Sequence, residues 1–337
     1  MNISRFVNNE LIQCEVEFVT PAFLGGADQN AELRTAPFKA SLRWWWRVLF
    51  GAQHGEKIYE KESELFGSTD SASKVRIEVL GTPAIDKADL AKDNFKGKKQ
   101  QVEGKSFRID VIDYLAYGLY ARDNVRRGNV YHRNHFAAGS RFKLTVYAPK
   151  EHKEEIVACL KALFAFGGVG SRSRNGFGSL RLINDALPNM TTKIDFTQNP
   201  KEYPTLNKAS KLFETQQFDN WEKALSDVAI AYKSARSALE LKHNFEIRGL
   251  LSRPIEVRNE RITDNIRKDR SPKQFIIHIA KTSDNKYIGR ILTLPIIFYE
   301  ANNRAKYDDM IKKMHTALSK NMNDKTDDIS EFLGVAK

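Results

Sequence analysis

In "LIQCEVEFVT", residues 11–20, Leu11, Val16 and Phe18 help set a β-like alternation, which predicts a first strand. A polar stretch, "PAFLGGADQNAELRTA", follows it. The period then becomes helical. In "PFKASLRWWWRVLF", Leu42, Trp45, Trp46 and Leu49 recur on one face, and Pro37 suits a first helical turn. Alternation returns in "SKVRIEVL" through Val75, Ile77 and Val79. Residues 82–105 are lysine-rich and lack a period, so they read as an insertion. "VRRGNVYHRNHFAAG" reads as a basic loop. "SRFKLTVYA" alternates through Phe142, Leu144 and Val146. "KEEIVACLKALFAF" is helical, with Ile156, Leu160, Leu163 and Phe164 on one face, and "FGSLRLI" is again a strand.

This order predicts an α+β fold, an antiparallel sheet with helices on one face. A break near "DALPNM" divides the chain into 1–187 and 188–337. The second half should hold a long helix from about Asp219 to Leu241 and strands at "QFIIHIA" and "RILTLPIIFY". A final amphipathic helix carries Tyr307, Met310, Ile311, Met314 and Leu318. The acidic tail after Asn321 is expected to fray.

The chain has 337 residues, which suits two domains, and a net charge of +12. That balance favours an anionic partner, with RNA or DNA ahead of a membrane surface. Cys14 and Cys159 are the only cysteines, so neither a zinc ribbon nor a disulfide framework is readable, and a reducing cytoplasm is expected. "MNISRFVNNE" lacks a secretory apolar core, and no apolar run is long enough to cross a bilayer.

The cations gather at particular places. "FGGVGSRSRNGFGSL", residues 166–180, holds five glycines with Arg172 and Arg174. It is not a P-loop, because no Gly-Lys stands at the required spacing; nor is it a dinucleotide fingerprint, because Ser173 replaces the third glycine. The loop follows a helix, whose terminal carbonyls repel phosphate. An anion there must be held by Arg172, Arg174 and backbone amides, with Asn175 beside them. Gly168 and Gly170 are expected to let the backbone approach a ligand, so that alanine at 170 leaves the fold largely intact. The same composition also fits a plain glycine connection with two solvated arginines.

Lys39, Arg43 and Arg47 stand four apart on the tryptophan helix. Like charges at this spacing cost roughly 0.2–0.5 kcal/mol per pair in an isolated helix. No acidic residue lies within "PFKASLRWWWRVLF", so phosphates or carboxylates from elsewhere should face the stripe. Trp45 and Trp46 belong to the core, and Trp44 to an edge or an interface. "YHRNH" sets His132 and His135 beside Arg126, Arg127 and Arg133. No further ligand stands nearby for zinc, and an RNA-contacting or solvated basic loop is favoured over general acid–base work. His278 reads as a satisfied strand histidine. "RNERITDNIRKDRSPK" is either a solvated loop or a contact with another subunit.

"TPAFLGGADQNAELRTAPFKASLRWWWRVLFG" resembles the N-terminal signature of the RAMP superfamily of CRISPR systems. Within it, the signature is similar to the family of first subunits of the Cmr, or type III-B, effector complex. "ESELFGSTDSASKVRIEV", "FGGVGSRSRNGFGSL" and "DRSPKQFIIHI" are similar to further motifs, in the expected order. Ala40 departs from the family's more usual glycine but keeps a small residue. The resemblance implies two ferredoxin-like, RRM-related domains. It implies a subunit that contacts guide RNA and target RNA near the 3′ part of the guide, with other Cmr subunits as partners. Target cutting falls to other subunits, so no catalysis, cofactor or metal is expected. By matching motif, Arg34, Lys39, Arg43, Arg47 and the loop from Gly167 to Gly178 carry the function. The alternatives are a metal-independent endoribonuclease acting on guide precursor and an assembly cap that touches only protein.

Overall fold

Ile12, Cys14, Val16 and Phe18 are buried at every second position, and this alternation builds β1 (Asn9–Phe18). The computed structural model describes residues 8–26, 28, 30–86, 95, 97–101, 108–123, 128–183, 187–188, 190–239, 245–253 and 271–334. After β1 come α1 (Thr35–His54), α2 (Ile58–Phe66) and β2 (Arg76–Leu80). The segment expected to be an insertion holds β3 (Ile85–Asp86) and β4 (Lys99–Gln101). β5 (Arg108–Asp110) and α3 (Val111–Leu115) follow. β6 (Tyr120–Asp123) precedes the expected basic loop, which is itself partly strand: β7 (Gly128–Tyr131) pairs with β6, and β8 (His135–Phe136) pairs with β3. β9 (Arg141–Pro149), α4 (Lys153–Phe166) and β10 (Leu180–Leu182) complete the first unit.

The first main sheet has the order β10-β1-β9-β2, with every pairing antiparallel. The second half supplies β11 (Lys211–Phe218), α5 (Trp221–Ser237), α6 (Phe245–Leu251), β12 (Phe275–Lys281) and β13 (Tyr287–Thr293). It ends with α7 (Arg304–Ser319), β14 (Asn323–Asp324) and α8 (Ile329–Leu333). Its sheet order, β12-β13-β11-β14, repeats the first arrangement read from the opposite edge. The fold is α+β, with two antiparallel, ferredoxin-like sheets.

Three differences from the sequence reading have physical causes. β11 was not anticipated, because a bulge between Glu214 and Gln217 breaks its alternation. β13 stops at Thr293, two residues before Pro295, which has no amide for a ladder. Residues 322–334 of the tail are ordered. β14 pairs with β11, and α8 sets Ile329 and Leu333, four apart, into the first core.

The two cores are interlocked. Ile276, Leu292 and Leu294 from the second half lie in the first core, while Val19, Phe23 and Phe177 from the first half lie in the second. α4 is therefore buried on nearly every side, and Phe332 meets Phe166 edge-on at 5.8 Å. Glu17, 2% exposed, accepts from Lys281 Nζ at 2.8 Å, with Arg141 and Arg181 beside it. His278 lies buried on β12, the strand the sequence indicated, but only one ring nitrogen is satisfied, since Nε2 is buried without a hydrogen-bond partner. Its Nδ1 lies 2.7 Å from the Gly167 carbonyl, and burial pushes its pKa down to about 3. Cys14 and Cys159 are free and buried. Among the described residues, no helix is long and apolar enough to cross a membrane.

Because Leu333 is fully buried in the first core, Leu333→Ala should destabilise the protein by about 2–5 kcal/mol. Urea unfolding of the full chain measures this, and a change of only a few tenths would mean that the tail does not seat there.

Candidate nucleic-acid interface

α1 begins without electrostatic relief. Its N-cap is Arg34, which makes no side-chain cap, and its first turn has no acidic residue. The positive end of the helix dipole is thus reinforced by a guanidinium. Phe38, Leu42, Trp45 and Trp46 bury the opposite face, and Trp46 Nε1 donates to Glu155 at 2.6 Å. Trp44 is half-buried at the edge, meeting Trp45 edge-on at 4.7 Å. Its ring carries the guanidinium of Arg174 at 4.8 Å, a cation–π contact.

This contact closes one wall of a cleft of about 540 Å³. Its other walls are Phe23–Gly26, the first turns of α1, Arg133 with Asn134, and the glycine-rich loop. Arg34, Arg133 and Arg174 all line it, and among the described residues no lining side chain is a carboxylate; Glu32 stands beside Gly26 at the rim. Arg133 Nε is buried without a partner. Burial, and after it Arg47, pulls the Arg174 guanidinium below its ordinary range, as expected where positive potential is in excess.

The other expected residues lie in different settings. Arg43 donates to Glu62 of α2, and Arg47 Nε is 3.4 Å from the same carboxylate, which is 1% exposed. The stripe is therefore partly neutralised from within the fold. Lys39 stays half-buried, its pKa lowered by burial and by Arg43. His132 is exposed, but His135 is 3% exposed and packs against Phe23 at 4.8 Å. Burial lowers its pKa, its Nε2 lies 3.7 Å from Asp86, and its Nδ1 is buried without a hydrogen-bond partner. The two histidines do not converge, and no group of three or more metal-binding side chains occurs among the described residues. Arg126 and Arg127 lie outside the described residues, as do Arg258, Arg261, Arg267, Lys268 and Arg270.

The glycine-rich loop faces inward as well as toward the cleft. Gly178 N donates to the Pro21 carbonyl and Ser171 N to that of Phe23, while Ile277 N of β12 donates to Arg174 O at 3.1 Å. Asn175 Nδ2 donates to Leu115 O at 2.7 Å, and Lys273 Nζ donates to Asn175 Oδ1 and, at 2.9 Å, to Arg174 O. Asn175 is thus occupied by the fold. A Cβ on Gly168 would lie 2.8 Å from the Gly178 carbonyl; one on Gly170, where φ is +91°, would lie 2.7 Å from that of Phe23. These glycines serve the close approach of backbone to backbone, not only of backbone to ligand. The expectation that Gly170→Ala spares the fold is corrected accordingly.

Sequence reasoning missed Glu62, although a signal was present. It shares a helical face with Ile58, Leu65 and Phe66, an apolar stripe on which a carboxylate needs a partner. It also did not single out Tyr114, Tyr117 or Arg236, which stand near the far side of the loop.

Residues 15–181, just under half of the chain, match the model of the RAMP superfamily. The chain is 31% identical over 156 residues to the CRISPR system Cmr subunit Cmr1-1 of Pyrococcus furiosus, covering 45% of this chain but 41% of that protein. It is 29% identical over 181 residues to Cmr1-2 of the same organism, covering 50% and 92%. The chain thus spans less than half the length of the first of these relatives. Its fold is similar to the crystal structure of apo Cmr1 from P. furiosus, with a TM-score of 0.55 at 20% identity over 94% of this chain and 98% of that one. A chain in the cryo-EM structure of the Type III-B Cmr-beta bound to cognate target RNA gives 0.52 at 15% identity, covering 91% and 99%.

Gly170→Ala should lower the unfolding free energy by about 1–3 kcal/mol, from the positive φ and the contact with Phe23 O. Thermal unfolding checks this. An unchanged midpoint would return the glycine to a purely ligand-directed role.

Proposed function

We propose that the chain is a non-catalytic, RNA-binding subunit of a type III-B CRISPR (Cmr) RNA-guided effector complex. It contacts guide RNA, target RNA or both near the guide 3′ end, in cytoplasmic antiviral defence. The observation that carries this reading is the cleft, where Arg34, Arg133 and Arg174 converge at an uncompensated helix N-terminus with no carboxylate among its described lining residues. Planar guanidiniums and free helix amides suit phosphodiester oxygens. Such contacts position a strand without reading it, and sequence is left to guide–target pairing. The names of the relatives, subunits of a Cmr system, support the same assignment. Residues 1–187 and 188–337 are taken as its two ferredoxin-like domains, joined by the shared core residues.

The endoribonuclease alternative would draw on a histidine as general acid or base. Burial of His135, apart from exposed His132, speaks against these two acting as a pair. The assembly-cap reading leaves the cleft's cations without a task.

In the assembled complex, Arg34→Ala with Arg133→Ala should weaken RNA binding by a similar factor for all sequences. The slope of log affinity against log salt should fall by about 0.7 for each single-strand phosphate that is no longer neutralised. Arg43→Ala with Arg47→Ala should do less, since Glu62 already shares their charge. Affinity and slope unmoved by the cleft variant would favour the assembly cap. Cutting of guide precursor that disappears in His132→Ala or His135→Ala would overturn the non-catalytic assignment.

A further inference from the structure

The glycine-rich loop has a second face, turned away from the cleft. Arg172 has φ of 59°, and only one other non-glycine described residue, Asn285, has positive φ. Gly170, Gly176 and Gly178 take such angles in the same loop at little cost, yet position 172 keeps a long side chain. A backbone outlier held at one residue points to use of its side chain. The turn is fixed from within, because Asn175 N donates to Arg172 O at 2.8 Å.

The guanidinium reaches the turn after α3. There Gly118 has φ of +92°, and a Cβ would sit 2.7 Å from Arg172 Nη2. The preceding residue, Tyr117, is 73% exposed. Its ring stands edge-on to Tyr120 at 6.4 Å, and Tyr120 meets Tyr131 at 5.7 Å. Tyr131 is buried and donates to Asp113 at 2.9 Å. An open ring is thus braced by a ladder that runs into the core. The nearby acid, Asp113, is engaged by Tyr131 and by Asn129 at 2.8 Å. The charge on the loop side is positive. Burial, with Arg236, Arg174 and Arg172, drives the Lys273 amine well below the usual lysine range.

We propose that Tyr117 and Arg172 form a subsite for one unpaired RNA nucleotide, the ring stacking on its base and the guanidinium holding its phosphate. This rests on the RNA-binding reading above. An exposed ring offers a π face that any base can use, and duplex RNA leaves few such faces free. Among the described residues of α3, its following turn and the glycine-rich loop, Tyr117 is the one large apolar side chain that is exposed, and a single ring beside cations suits a nucleotide better than a protein surface.

The test compares binding of the full chain to labelled oligouridine and to an abasic oligonucleotide of the same length. Tyr117→Ala should weaken oligouridine binding about tenfold and spare the abasic strand, and Tyr117→Trp should restore it. Arg172→Gly should weaken both ligands without lowering the unfolding temperature, because it removes the positive-φ side chain. A 4-thiouridine crosslink should map to Tyr117. If Tyr117→Ala binds oligouridine normally while Arg34→Ala with Arg133→Ala does not, the subsite is wrong and the RNA-binding reading stands. If the native chain and the assembled complex bind neither strand, both fall. Release of a neighbouring subunit by Tyr117→Ala, with RNA binding intact, would make this face a protein contact and overturn the proposal.

Discussion

The amide of Ile277 donating to the carbonyl of Arg174 joins the glycine-rich loop of one unit to the edge strand of the other. Around it, Gly176 lies against Leu225 and Ile277, and Phe177 enters the second core. The loop is consequently held on three sides, by the Pro21–Phe23 segment, by β12 and by α3. Its arginines project from a frame that cannot easily move. Were the loop mobile, ordering it on an anion would cost conformational entropy of about 1–2 kcal/mol for each residue fixed. Here that cost is met on folding, and the cleft is formed before any ligand arrives.

Charge is partitioned along the same lines. Glu62 takes up Arg43 and Arg47, and Glu17 gathers Arg141, Arg181 and Lys281. Buried carboxylates of this kind need several donors to offset desolvation; Glu17 accepts from Lys281 and Arg181, whereas Glu62 accepts from Arg43 and its Oε2 has only the charge of Arg47 at 3.4 Å. Arg34, Arg133 and Arg174 are lined up without such a partner in the cleft. The net excess of +12 is thus sorted into cations that hold the fold and cations that face an opening. Composition alone could not separate the two groups.

The sequence revealed the elements whose periodicity was clean. β1, α1, β9 and α4 follow their apolar spacing, and Trp45 and Trp46 are core residues while Trp44 is at an edge. It also supplied Arg34, Arg133 and Arg174 as separate candidates, though only the fold brings them to one cleft. What it hid depends on long-range contact. The bulge in β11 erased a two-residue period, and the partner of Arg43 lies on another helix. His135 and Asn175 look like surface chemistry in a polar string, yet one is packed under Phe23 and the other is tied to Leu115. The role of Gly170 was visible as a need for freedom, but the neighbour that imposes it, Phe23, is about 150 residues distant in the chain.

The seating of α8 has a consequence for how the protein is made. Residues 323–324 finish the second sheet, and Ile329 with Leu333 fill the first core. On the ribosome, translation runs from the N-terminus, so the first unit emerges long before the residues that complete it. A nascent first sheet must wait with an open apolar slot between Phe166 and its neighbours until Phe332 arrives. Both units then close nearly together. Chains cut short within the last helix would therefore fail in the half that was synthesised first.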